Sequence, residues 1–200
     1  EDDESVPYKY NGYWYIIKFE TGKGYPIYIR RKESLEATDE LLFDCNEMAK
    51  GHSYFKLTGI SISPDNNKVS YGLDFLGRRQ YTIHIKDLKN DQILTESIEN
   101  TTGSSTWAND NKTLFYTSKN EQTLRSENVF KHILGTESEK DTLVFNEADD
   151  TFNVSVYKTK SRQYIIIASY STLTNEFQLL DADKPNAEFK IFQPRIRGLE

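Results

Sequence analysis

From Leu57 to Leu88 apolar residues fall on alternate positions, with two interruptions. Ile60 and Ile62 alternate with serines as far as Pro64, where Asp65-Asn66-Asn67 favours a turn over a continued ladder. Val69, Tyr71 and Leu73 resume the period of two, and Tyr81, Ile83 and Ile85 repeat it beyond Gly77, ending at Asp87-Leu88. The stretch predicts three strands joined by tight turns.

The same pattern recurs. Ser105-Thr106-Trp107-Ala108-Asn109-Asp110-Asn111-Lys112 leads into Thr113-Leu114-Phe115-Tyr116-Thr117, and Lys112 stands 44 positions after Lys68. A third copy runs from Phe152, Val154 and Val156 through the turn-like Lys158-Thr159-Lys160-Ser161-Arg162-Gln163 into Tyr164-Ile165-Ile166-Ile167-Ala168. A fourth opens the chain, with Val6 to Tyr10 and Tyr13 to Phe19 around the hairpin signal Asn11-Gly12. Self-similarity at this period points to a repeat architecture of about four strands per unit. The four units are residues 6–50, 54–100, 103–148 and 152–194, with Arg195 to Glu200 leading onward.

The last strand of the first unit is the ambiguous one. Glu33 to Gly51 has a Glu, Leu and Ala content that also suits a helix, but the repeat needs a strand at Leu41-Leu42-Phe43-Asp44, leaving one helical turn at Asn46 to Lys50. The other fourth strands fall at Gln92 to Ile98, Thr142 to Asn146 and Phe189 to Phe192. Units apolar on two faces must be covered by neighbours, so the expected fold is all-β, a partial β-propeller of about four four-stranded antiparallel blades. Neither end reads as a cap, which predicts a larger ring and self-association through the open ends.

Composition sharpens this picture. Thirteen Tyr, 11 Phe and 2 Trp suit half-buried pleated surfaces. A net charge of −6, with no basic stripe, argues against a nucleic-acid surface. No apolar run approaches the roughly 20 residues that span a bilayer, so no membrane partner is expected. Cys45 is the only cysteine, which excludes an internal disulfide and allows a reducing compartment such as the cytoplasm. The opening Glu1-Asp2-Asp3-Glu4 reads as a solvated lead-in without an initiator Met or signal-like segment, so the natural N-terminus is expected to lie elsewhere.

Chemistry-bearing motifs are sparse. Gly59-Ile60-Ser61-Ile62-Ser63 approaches G-x-S-x-G but lacks the final glycine, and its alternation marks a strand. His52, His84 and His132 share no metal-ligand spacing and read as surface or partly packed side chains. Asp149-Asp150 falls in a turn, and Trp14 and Trp107 read as packing between blades. No catalytic residue, cofactor site or metal site is assigned. Gly77-Arg78-Arg79-Gln80 stands apart, because Arg78 and Arg79 at a strand entry could pair with carboxylates across a domain interface or on a peptide.

Several stretches together carry a resemblance: Asp44 through Phe55, Ser63-Pro64-Asp65-Asn66, Gly77 through Thr82, Lys86-Asp87-Leu88, Glu99 through Gly103, Trp107 through Tyr116, Asp149-Asp150-Thr151-Phe152 and Lys158-Thr159-Lys160-Ser161. They resemble the oligopeptidase B (protease II) group of the prolyl oligopeptidase family of serine peptidases. The resemblance implies a seven-bladed propeller, of which this chain is roughly the first four blades, set against a C-terminal α/β-hydrolase domain. It implies that the Ser, Asp and His of catalysis lie in that domain and on no position here. It further implies a propeller that restricts entry to short peptides, with cleavage after Arg or Lys. The alternative from the residues alone is a self-contained propeller acting as a binding or scaffold module.

Overall fold

The computed structural model describes residues 2–196 and residue 198; Glu1 of the acidic opening, and Arg197, Leu199 and Glu200 of the onward segment, lie outside the described residues. The chain divides into two compact units, residues 1–55 and 56–200.

The first unit is one antiparallel sheet. Strand β3 (Tyr13–Phe19) pairs on one side with β4 (Ile27–Lys32), which pairs with β5 (Glu40–Asp44). On its other side β3 holds both β1 (Asp3–Glu4) and β2 (Tyr8–Tyr10). Asn11 at φ 48° and Gly12 at φ 83° give the β2–β3 loop two left-handed residues, the backbone whose twist matches the strands it joins. The acidic opening is more than a solvated lead-in: Asp3 pairs with Phe19, Glu4 with Lys18, and the Asp2 carboxylate accepts the Thr21 N–H at 2.7 Å. The ambiguity after β4 resolves as a loop, then β5, then the single helical turn α1 (Cys45–Met48). Asp44 caps that turn by accepting from the N–H groups of Asn46 and Glu47 at 2.9 and 3.2 Å, and Asn46 in turn holds both backbone polar groups of Tyr25.

The second unit contains a seven-stranded antiparallel sheet and a four-stranded one. The seven strands are β6 (Lys56–Ile62), β7 (Lys68–Asp74), β8 (Tyr81–Asp87), β9 (Gln92–Trp107), β10 (Thr113–Lys119), β11 (Ser126–Ile133) and β12 (Thr142–Asn146). The four-stranded sheet runs β13 (Asn153–Lys158), β14 (Tyr164–Tyr170), β15 (Asn175–Asp181) and β16 (Lys190–Gln193). Where the sequence predicts a break between Asn100 and Gly103, β9 continues. Its first part pairs with β8, its second part with β10, and Thr101 pairs with both Tyr81 and Ser118.

Strand β10 explains why the blades stack. Leu114 and Tyr116 join Ile83, Ile85, Ile98 and Trp107 in one buried cluster, while Phe115, pointing the other way, joins Val129, Val154, Val156, Ile165, Ile167 and Leu180 in a second. A strand buried on both faces reads as a continuous apolar run, as Leu114-Phe115-Tyr116 does. Polar groups fasten the same junctions. The Trp107 indole N–H donates to the Ser61 carbonyl at 2.9 Å, and the Ser105 hydroxyl to that of Ser70 at 2.9 Å. At the turns, Asn111 accepts the Asp65 N–H at 2.8 Å, and Asn109 donates to the Asp183 carboxylate at 2.7 Å and the Arg162 carbonyl at 3.1 Å. Lys158 donates to the Asn109 amide oxygen at 2.7 Å; burial, then the Arg162 charge, pulls its pKa down to about 8.

The tightest approach is at Gly59, Gly72 and Gly103. A Cβ on either Gly59 or Gly72 would overlap the Gly103 backbone, and one on Gly103 would meet the Tyr81 ring at 2.8 Å. Gly59 and Gly103 also have φ of +63° and +82°. Gly135 is equally left-handed, at +85°, but faces open space. Gly103→Ala is therefore expected to destabilise the chain by about 1–3 kcal/mol more than Gly135→Ala, the extra loss being overpacking. Urea denaturation of the two variants measures it; equal midpoints would contradict the close approach.

Candidate interface site

Asp74, at the end of β7, is almost fully buried, and its carboxylate organises the loop that follows. It accepts the N–H groups of Leu76, Gly77 and Arg79 at 2.8, 2.9 and 2.9 Å, bending residues 75–80 through left-handed Gly77 and Arg79. From the next blade, the Lys119 ammonium donates to the Arg79 carbonyl at 2.7 Å. Burial, and after it the Arg79 charge, hold the Lys119 pKa below the ordinary lysine value, with Asp74 opposing. The facing loop, residues 120–125, is held in the same way. The Asn120 side chain accepts from Gln122 and Thr123 at 3.0 Å each, and its carbonyl accepts the Leu124 N–H at 2.9 Å.

Between the two loops lies an open groove of about 500 Å³ lined by Arg78, Arg79, Gln80, Glu121, Gln122 and Leu124. Glu121 is tied to the Asn100 amide at 3.0 Å. Arg78 and Arg79 are exposed, and among the described residues neither guanidinium has an ion pair. Leu76 and Leu124 are also exposed, at 74% and 39%. Two exposed guanidiniums across a groove from Leu124, on pre-shaped loops, can bind carboxylates; they offer no nucleophile or general base.

The other residues weighed from sequence fall elsewhere. Ser61 lies within β6, paired with Ser70. Trp107 is buried between blades as expected, whereas Trp14 is half-buried, donates to the Glu33 carbonyl at 3.1 Å and lies under Lys9. His84 is half-buried against Tyr71, and burial lowers its pKa. His132 departs from the surface or partly packed reading: it is fully buried, with Nδ1 at 2.7 Å from the Asp141 carboxylate, which also accepts the Tyr116 hydroxyl at 2.9 Å. Its spacing from Asp141 carried no signal, because the partner comes from the turn after β11. The Asp74 clamp was likewise invisible as a motif, although Asp ahead of a Gly-containing loop is its trace. Among the described residues no group of three or more His, Cys, Asp or Glu side chains could hold a metal ion.

A family model described as prolyl oligopeptidase, N-terminal beta-propeller domain, matches residues 1–200. The chain belongs to the prolyl oligopeptidase N-terminal β-propeller family. Dipeptidyl aminopeptidase BI of Pseudoxanthomonas mexicana is 35% identical, covering all of this chain and 30% of that protein. Protease 2 of Moraxella lacunata is 30% identical with the same coverage. Oligopeptidase B from Leishmania major superposes with a TM-score of 0.93 at 32% identity, over 99% of this chain and 28% of its own. This member of the propeller family thus spans less than a third of the length of these relatives.

Asp74→Ala is expected to free the loop at residues 75–80, at a cost of about 1–3 kcal/mol for three backbone donors left without their acceptor. Hydrogen exchange at the Leu76, Gly77 and Arg79 amides, with thermal melting, checks it; unchanged protection would show that the carboxylate does not organise the loop.

Proposed function

We propose that this chain is the non-catalytic gating part of a serine oligopeptidase of the oligopeptidase B type, which hydrolyses short peptides after Arg or Lys. The observation that carries the reading is the match of the whole chain, at 32% identity and TM-score 0.93, to less than a third of an oligopeptidase B. Cleavage belongs in this reading to a C-terminal α/β-hydrolase domain of the same parent protein. The propeller acts by exclusion and desolvation, admitting short peptides to the nucleophile and keeping folded proteins out. Arg78 and Arg79 then pair with carboxylates of that domain or of the peptide, using the groove already described. The exposed Ile191 and Phe192 on β16 support self-association of the isolated chain.

The chain alone is expected to release no chromophore from Arg- or Lys-containing chromogenic peptides, whereas the full-length parent does so with short peptides and leaves folded proteins intact. Turnover by the repurified chain would overturn the division of labour. In the full-length parent, Arg78→Ala with Arg79→Ala is expected to lower kcat/KM and to weaken its salt dependence, since rim charges act chiefly through long-range attraction. An unchanged salt dependence would remove these arginines from the interface.

A further inference from the structure

Beyond β12 the chain turns through Glu147 to Phe152, and these residues, together with Glu176 of β15, enclose one guanidinium. It belongs to Arg195, just past the end of β16. Arg195 Nη2 and Nη1 donate to the two Glu147 carboxylate oxygens at 2.6 and 3.3 Å, a two-point fork. Its guanidinium carbon sits 3.8 Å from the centroid of the Phe152 ring, and Glu176 and Asp149 add carboxylate oxygens at 3.8 and 3.7 Å. Glu147 and Phe152 are only 4% and 5% exposed. Burial works to raise the Glu147 pKa, but the Arg195 hydrogen bonds and the Asp149 N–H outweigh it, so the carboxyl lies below its ordinary value and is charged at neutral pH.

We propose that Glu147, Phe152 and Glu176 form a guanidinium-binding pocket, filled in cis by Arg195, whose ligand class is an arginine side chain. Two observations separate pocket from occupant. The walls are fixed by a different residue, Arg125, which donates to the carbonyls of Asp149 and Phe152 at 3.0 Å each, to that of Glu147 at 3.2 Å, and to the Glu127 carboxylate at 2.7 Å. The Glu147 N–H is also held by the Glu127 carbonyl at 2.8 Å. The occupant comes from outside the sheet: the ladder ends at Gln193, and Arg195 follows it with its side chain 29% exposed. The pocket selects chemistry as well as charge. A planar guanidinium satisfies the carboxylate fork and the ring face at once, whereas an ammonium is a point charge that cannot do both. A short tether supplies Arg195 at an effective concentration on the order of millimolar, so the pocket opens to an external arginine when Arg195 is removed or outcompeted. This assignment uses no catalytic group and stands independently of the gating role.

The test uses the full chain carrying Arg195→Ala, titrated with N-acetyl-arginine amide and with its lysine counterpart and followed by thermal melting. The arginine amide is expected to raise the melting temperature of the variant with millimolar saturation. The lysine amide should act about tenfold more weakly, the factor that one charge-assisted hydrogen bond supplies. Arg195→Ala with Glu147→Gln is expected to show no saturable response, and the unmodified chain to respond only at higher amide concentration, because tethered Arg195 competes. Equal effects of the two amides, or an equal response from the unmodified chain, would overturn the assignment. Should Arg195→Ala not fold alone, refolding in the presence of each amide replaces melting: recovery with arginine but not lysine supports the pocket, and recovery with neither, or with both, refutes it.

Discussion

A four-stranded sheet with apolar residues on both faces has no stable existence by itself in water, and this requirement organises residues 56–200. Phe115 and Leu114 are neighbours in sequence yet belong to different buried clusters, so β10 is covered from both sides. Burying side chains of this size stabilises by about 1.5–3 kcal/mol each relative to exposure, and that gain is available only while neighbouring blades stay in contact. Contact in turn demands backbones that can come close. Gly59, Gly72 and Gly103 let β6, β7 and β9 approach where any side chain would hold them apart. Asparagines at the turns and a buried serine pair between β7 and β9 then satisfy polar groups that the same approach strips of water.

Most strands were legible because each carries its own period of two. Tyr13 to Phe19 and Thr142 to Asn146 are strands at the bounds the alternation predicts. The strand that was not legible as one piece, β9, fails for an identifiable reason. Glu99-Asn100-Thr101-Thr102-Gly103-Ser104-Ser105 has the composition of a loop, and its pairing is imposed by flanking strands on both sides through Thr101. Tertiary pairing here overrides local preference. The acidic opening is the same lesson at smaller scale, since two carboxylate-bearing residues form a strand only because β3 has an edge to offer.

The candidate interface was half legible. A dibasic turn at a strand entry can be seen in Gly77-Arg78-Arg79-Gln80, but the features that make it more than a solvated turn lie outside that tetrapeptide. Asp74 shapes it, Lys119 pins its carbonyl, and the loop around Asn120 supplies the opposite wall. Lys119 and the Asn120 loop lie about one repeat away along the chain, and Asp74, although close in sequence, belongs to no recognised motif. His132 and its buried partner Asp141 were hidden by a related effect: the pairing depends on how the turn after β11 folds back.

Arg125 and Arg195 show how one side-chain type takes opposite roles within a single cluster. Arg125 donates to three backbone carbonyls, acceptors whose position is set by the chain path, so its removal would disturb the connection between blades itself. Arg195 donates to a side-chain carboxylate and lies over a ring, partners that keep their place because Arg125 holds the backbone beneath them. An arginine bound to backbone is part of the scaffold; an arginine bound to side chains on that scaffold is a ligand that happens to be tethered. The loops at residues 75–80 and 120–125 repeat this logic, with buried Asp74 and half-buried Asn120 fixing the backbone while Arg78 and Arg79 have no ion pair among the described residues. Exposed charge on a stiff support loses less freedom on pairing than the same charge on a loose loop.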